Sequence, residues 1–161
     1  MRKLSISSGG AAADVDGTLN LVLNPHHPAD HRLGEQGTPV TALTLDRLMS
    51  ERHWPEVSLL KIDVQGAEMR VLRGARQLLE RYQPTLYVEV DDKALAEAGA
   101  SAEMLTAYLA ALGYEMYDLD HSDAIPVDPK FAAERRAAQG YGDYLFKPTA
   151  PSGAARMATP S

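Results

Sequence analysis

The chain has 161 residues, 45% apolar and 24% charged, enough for one domain with its own core. Its net charge is -6, with both signs mixed and no basic block, so a nucleic-acid partner has no electrostatic support. The lack of cysteine excludes disulfides and thiolate metal sites, and neither a signal peptide nor a bilayer-spanning run is visible, so a cytoplasmic protein is expected.

Residues 1–13 are small and weakly patterned. Asp16-Gly17 signals a turn, and residues 18–23 (TLNLVL) read as a strand. A polar loop with two prolines follows and carries His26, His27 and His31. Residues 39–43 form a second short strand, and Thr44 is placed to cap a helix bearing Leu45, Leu48 and Met49 on one face. Residues 57–64 (VSLLKIDV) are nearly all apolar, which predicts a strand buried on both faces of a parallel sheet. Gly66 breaks it. A single helix is then expected over 67–82, with Val71, Leu72, Ala75, Leu78, Leu79 and Tyr82 at helical spacing, stopped by Pro84. Residues 85–90 (TLYVEV) are the next strand, so the centre reads as a right-handed βαβ crossover.

A short helix over 92–98 is closed by Gly99, and Ser101 caps another whose buried face holds Leu105, Tyr108, Leu109 and Leu112. Gly113 ends it. Residues 114–119 and 141–146 are read as two further strands, with a short helix near 131–138 between them. From residue 148 onward the chain is rich in Pro, Ala and Ser, and is expected to be a disordered tail behind one domain over 1–147.

In open parallel sheets, ligands bind outside the carboxyl ends of the strands. Asp63 and Gln65, then Glu89 with Asp91 and Asp92, then Asp118, Asp120 and His121 are expected along that rim. Asp63 either accepts hydrogen bonds from the following helix start or works directly in a site. Glu68 has the same two readings. Glu89 interrupts an apolar strand, and a buried carboxylate demands a partner or a use. Gly66 permits a backbone conformation or a close approach that a Cβ would obstruct. The histidine loop fits no helical HxxxH metal site, and Pro28 stiffens it. Its alternatives are a solvated loop and, for His26 and His27, contact with a substrate. No metal site is expected.

The run Leu60-Lys61-Ile62-Asp63-Val64-Gln65-Gly66-Ala67-Glu68, the continuation Val71-Leu72-Arg73-Gly74-Ala75 and the strand Leu86-Tyr87-Val88-Glu89-Val90 resemble the signature of FkbM-family methyltransferases. Thr44-Leu45-Asp46-Arg47-Leu48 matches a segment expected upstream, and Gln65 stands where that family commonly has glutamate. The resemblance spans residues 12–146. It implies an α/β fold: a partial class I methyltransferase (Rossmann-like) sheet, mostly parallel with an antiparallel last strand. The strands at 57–63, 85–90, 114–119 and 141–146 would be its fourth to seventh.

The resemblance also implies S-adenosylmethionine as cofactor and O-methylation of a sugar or secondary metabolite. Asp63 and Glu89 would be catalytic, with Gln65, Gly66, Glu68, His26 and His27 shaping the acceptor site. The family's first strand, its glycine-rich acidic turn for the cofactor, and the following ribose-binding acid have no counterpart here. With those N-terminal strands absent, the chain is expected to bind the cofactor weakly by itself and to expose a sheet edge suited to a homo-oligomer. The competing readings are a non-catalytic remnant, a subunit that completes its sheet with a partner chain, and a nicotinamide-dependent oxidoreductase. The last lacks any GxGxxG after a strand.

Overall fold

The computed structural model describes residues 10–22, 32–34, 37–119 and 126–149. The elements in chain order are β1 (Gly10–Ala12), β2 (Gly17–Val22), β3 (Arg32–Gly34), β4 (Thr38–Leu43), α1 (Leu45–Glu51), β5 (Leu59–Ile62), α2 (Glu68–Gly74), α3 (Arg76–Tyr82), β6 (Thr85–Asp91), α4 (Asp92–Glu97), α5 (Ala102–Ala111), β7 (Tyr114–Asp118), α6 (Pro129–Gln139) and β8 (Tyr141–Pro148). They form two four-stranded sheets, β1-β4-β2-β3 and β5-β6-β8-β7. No helix among the described residues is long and apolar enough to cross a membrane.

The second sheet positions the site. β5 and β6 run parallel, whereas β8 is antiparallel to both β6 and β7. The expected βαβ unit and the antiparallel last strand are therefore present. Along β6, burial alternates: Leu86, Val88 and Val90 are buried, while Thr85, Tyr87, Glu89 and Asp91 are only partly covered. Phe146, Tyr144, Met116 and Tyr114 continue the buried side across β8 and β7, packed with Leu72, Leu79, Leu105 and Leu109 from the helices.

The expectation of a strand buried on both faces is corrected here. β5 is only four residues long, and Leu59 and Lys61 are exposed while Ile62 is buried. The helices cover one face of this sheet. Among the described residues β5 pairs with β6 alone, and Leu59 is 58% exposed at its start.

The helix expected over 67–82 is two helices, broken at Ala75. The physical reason lies elsewhere in the chain. Asp46 in α1 accepts from Gln77 N and Leu78 N, both at 2.9 Å, which supplies α3 with its own N-terminal cap. Gly74 is required just before the break: a Cβ there would lie 1.9 Å from the Ala13 carbonyl oxygen. Thus α2 packs on the end of β1, and Arg70 pairs with Asp14 beside that contact at 3.1 Å.

The cap assignments at Thr44 and Ser101 match the structure, since Thr44 Oγ1 accepts from Arg47 N and Ser101 Oγ from Met104 N. Two short strands, β1 and β3, have no counterpart in the sequence reading. Pro148, which the sequence reading placed in the tail, is the last residue of β8, and Thr149 N donates to the Gly113 carbonyl at 2.8 Å. Residues 150–161 lie outside the described residues.

Candidate active site

The turn after β5 is built by one carboxylate. Gln65 (φ 49°) and Gly66 (φ 94°) both adopt left-handed backbone. Glu68, only 3% exposed, turns back so that its Oε1 accepts from Gly66 N at 3.1 Å and Val64 N at 3.4 Å. Gly66 has no alternative in this position, because a Cβ would lie 2.3 Å from the Ala94 carbonyl oxygen of α4. Glu68 Oε2 is buried and has no hydrogen-bond partner. Burial pushes the Glu68 carboxyl up, against the pull of its backbone N–H donors. Of the two readings held for Glu68, its contacts are those of a residue that holds the turn.

The turn aims Gln65 at the neighbouring strand, where its Nε2 donates to Glu89 Oε1 at 3.1 Å. The parallel register sets Lys61 beside Tyr87 and Ile62 beside Val88, so the next residues, Asp63 and Glu89, are neighbours on the open face. On the far side of β6, Glu89 stands opposite Asp143 of β8. Asp63, Glu89 and Asp143 therefore form one cross-strand row at the carboxyl ends of the parallel strands.

The row has a charged and aromatic border. Lys61 Nζ lies 3.1 Å from Asp63 Oδ2 and 5.4 Å from the Tyr87 ring centroid. Burial first, then the neighbouring Asp143 and the other nearby carboxylates, push the Tyr87 hydroxyl up to about 12, so it stays neutral near pH 7. Glu89 is raised by burial first, then by the charges of Asp63, Asp143, Glu68 and Asp91.

The other acids expected along the rim have structural partners. Asp91 caps α4, accepting from Lys93 N and Ala94 N at 2.9 Å. Asp92 pairs at 2.8 Å with Arg136, a guanidinium that is 4% exposed and also donates to the Tyr144 hydroxyl. Asp118 is buried and pairs with Arg135. These pairs tie α4 and α6 to the covered side of the sheet. Asp120, His121 and the histidine loop with His26, His27 and His31 lie outside the described residues. Among the described residues, no group of three or more His, Asp or Glu side chains could hold a metal ion.

Asp143 was not foreseen as a site residue. Its signal in the sequence was an acid interrupting the last strand, but only the order β5-β6-β8 brings it to Glu89.

Residues 8–116 match the family model described as the methyltransferase FkbM domain. The chain belongs to that family. No curated protein and no solved structure matches it. For this FkbM-family chain, the fit of a sulfonium nucleoside cofactor can be read from the turn. The carboxylate row suits the cation. The nucleoside is another matter, because the one glycine between a strand and a helix of this sheet, Gly66, is packed against Ala94 and leaves no open cradle. The described residues do not fit the nucleoside part.

Proposed function

We propose that this protein serves S-adenosylmethionine-dependent O-methylation of a sugar or secondary-metabolite hydroxyl, with the Asp63–Glu89–Asp143 row as the acceptor side of the site. Family membership supports methyl transfer, and the adjacency of Asp63 and Glu89 at the carboxyl ends of β5 and β6 carries the reading. Glu89 is the general base. Its raised carboxyl lies closer to neutral pH than an ordinary glutamate, which suits it to accept a proton. Gln65 holds Oε1, which leaves Oε2 to take the acceptor's hydroxyl proton. Asp63 accepts a hydrogen bond from a neighbouring hydroxyl and, with Glu89, fixes the acceptor's orientation. The described residues offer the cofactor's nucleoside no cradle, and on this reading the chain by itself binds the cofactor weakly.

The charge of the row narrows the acceptor. Three carboxylates and one lysine disfavour a phosphate or carboxylate group and favour neutral hydroxylated molecules. The test is transfer of labelled methyl from millimolar S-adenosylmethionine to a panel of neutral and phosphorylated glycosides. Labelling of neutral members that fails in Glu89→Gln supports the reading. No labelling of any member, or preference for phosphorylated members, overturns it.

A second reading is favoured by one observation, the outer edge of β5, which no described residue pairs. On that reading the chain is a subunit that completes its sheet with another chain, a copy of itself or a partner. Oligomers in size-exclusion chromatography would support it, and a clean monomer would argue against it.

A further inference from the structure

We propose that Asp143, which lies beyond the segment matching the family, is a positioning residue of the candidate site: it flanks Glu89 directly across the strand pair. The inference rests on the reading of Glu89 as the base.

The geometry is that of an antiparallel ladder. Glu89 and Asp143 are directly opposite, so their side chains leave the same face of the sheet, with Cβ atoms about 4.5–5.5 Å apart. Asp63 occupies the equivalent place on the other side. Glu89 is thus neighboured by Asp63 from the end of β5, Gln65 and Glu68 from the turn and the start of α2, Asp91 from its own strand, and Asp143 from β8. Lys61 pairs with Asp63 at 3.1 Å. A second carboxylate opposite Glu89 disfavours its ionisation, as like charges sharing a site do. Asp143 touches neither of the reacting groups. It acts through Glu89.

The test is a carboxyl-carbon NMR titration of the full chain. Asp143→Asn keeps the size of the side chain and removes its charge, and the Glu89 midpoint should move down by about half a unit or more. Exposed Glu103, on the far helix α5, supplies the control: Glu103→Gln should leave the Glu89 midpoint in place. An unmoved Glu89 midpoint in folded Asp143→Asn overturns the proposal. Such a result would leave Glu89 as the base. Retained methyl transfer in Glu89→Gln would remove the base and leave the coupling standing.

Discussion

Gln65 Nε2 donates to Glu89 Oε1 at 3.1 Å, and this bond joins the left-handed turn after β5 to the carboxyl-terminal part of β6. The turn and the strand are thereby a single unit. Glu68 clamps the turn from beneath, Gly66 lets it press on α4, and Gln65 carries its position across to the carboxylate row. In this chain the signature run thus brings the Gln65 amide together with Asp63 and Glu89 at the strand ends.

Removal of the base is the plainest chemical test. Glu89→Gln keeps the size and the contact to Gln65 but cannot take a proton. Turnover should fall by about 10²-fold or more, in line with the usual contribution of a positioned general base. Asp63→Asn should instead raise KM more than it lowers kcat, because Asp63 orients rather than deprotonates. Steady-state kinetics on an identified acceptor separates the two, and equal kcat for Glu89→Gln and wild type would exclude Glu89 as base.

Glu68 should show itself in stability. Its folded carboxyl is raised above the ordinary 4.5 by burial. Between that value and the raised one the folded state holds more protons than the unfolded state. The group's favourable contribution is complete below pH 4.5 and is lost as pH rises through the raised value. Glu68→Gln keeps an oxygen for Gly66 N and has no charge to bury. Thermal melts from pH 4 to pH 8 should show the variant gaining on wild type as pH rises. A difference that is constant with pH would contradict the buried, unpaired Oε2.

Asp46 should prove essential to α3. Asp46→Ala strands two backbone donors at a helix start and should cost about 1–2 kcal/mol. In a chain of this size that lowers Tm by about 2–8 °C. Asp46→Asn, which keeps one acceptor, should recover part of the loss. A melting point unchanged in Asp46→Ala would mean that α3 is capped by another group.

These tests also mark what the sequence could disclose. The run from Leu60 to Glu68, the helix pattern behind it and the strand ending in Glu89 were legible because each follows a local period and a local breaker. The division of α2 from α3 was not, because its cause is Asp46, some thirty residues earlier. One-sided burial of β5 was also hidden, since an apolar run reads the same whether one face or two are covered. Asp143 could be seen as an acid in a strand, but its place beside Glu89 depends on strand order and register, which local patterns do not encode. Acids at Asp91, Asp92 and Asp118 looked equally available in the sequence, and only their partners show that they cap a helix or pair with Arg136 and Arg135.

The account depends first on Asp63 and Glu89 being neighbours on one face of the sheet, and disulfide trapping tests that directly. The chain has no cysteine of its own, so a double variant introduces the only two thiols. Neighbouring positions on paired strands fall within the Cα separation of about 4.4–6.8 Å that a disulfide spans. Asp63→Cys with Glu89→Cys should oxidise to a monomer that has lost two hydrogens and both free thiols, whereas Asp63→Cys with Val90→Cys, whose second thiol lies on the buried face, should keep its thiols free. Thiols that persist in the first pair, or close in the second, would contradict the arrangement on which the proposed chemistry stands.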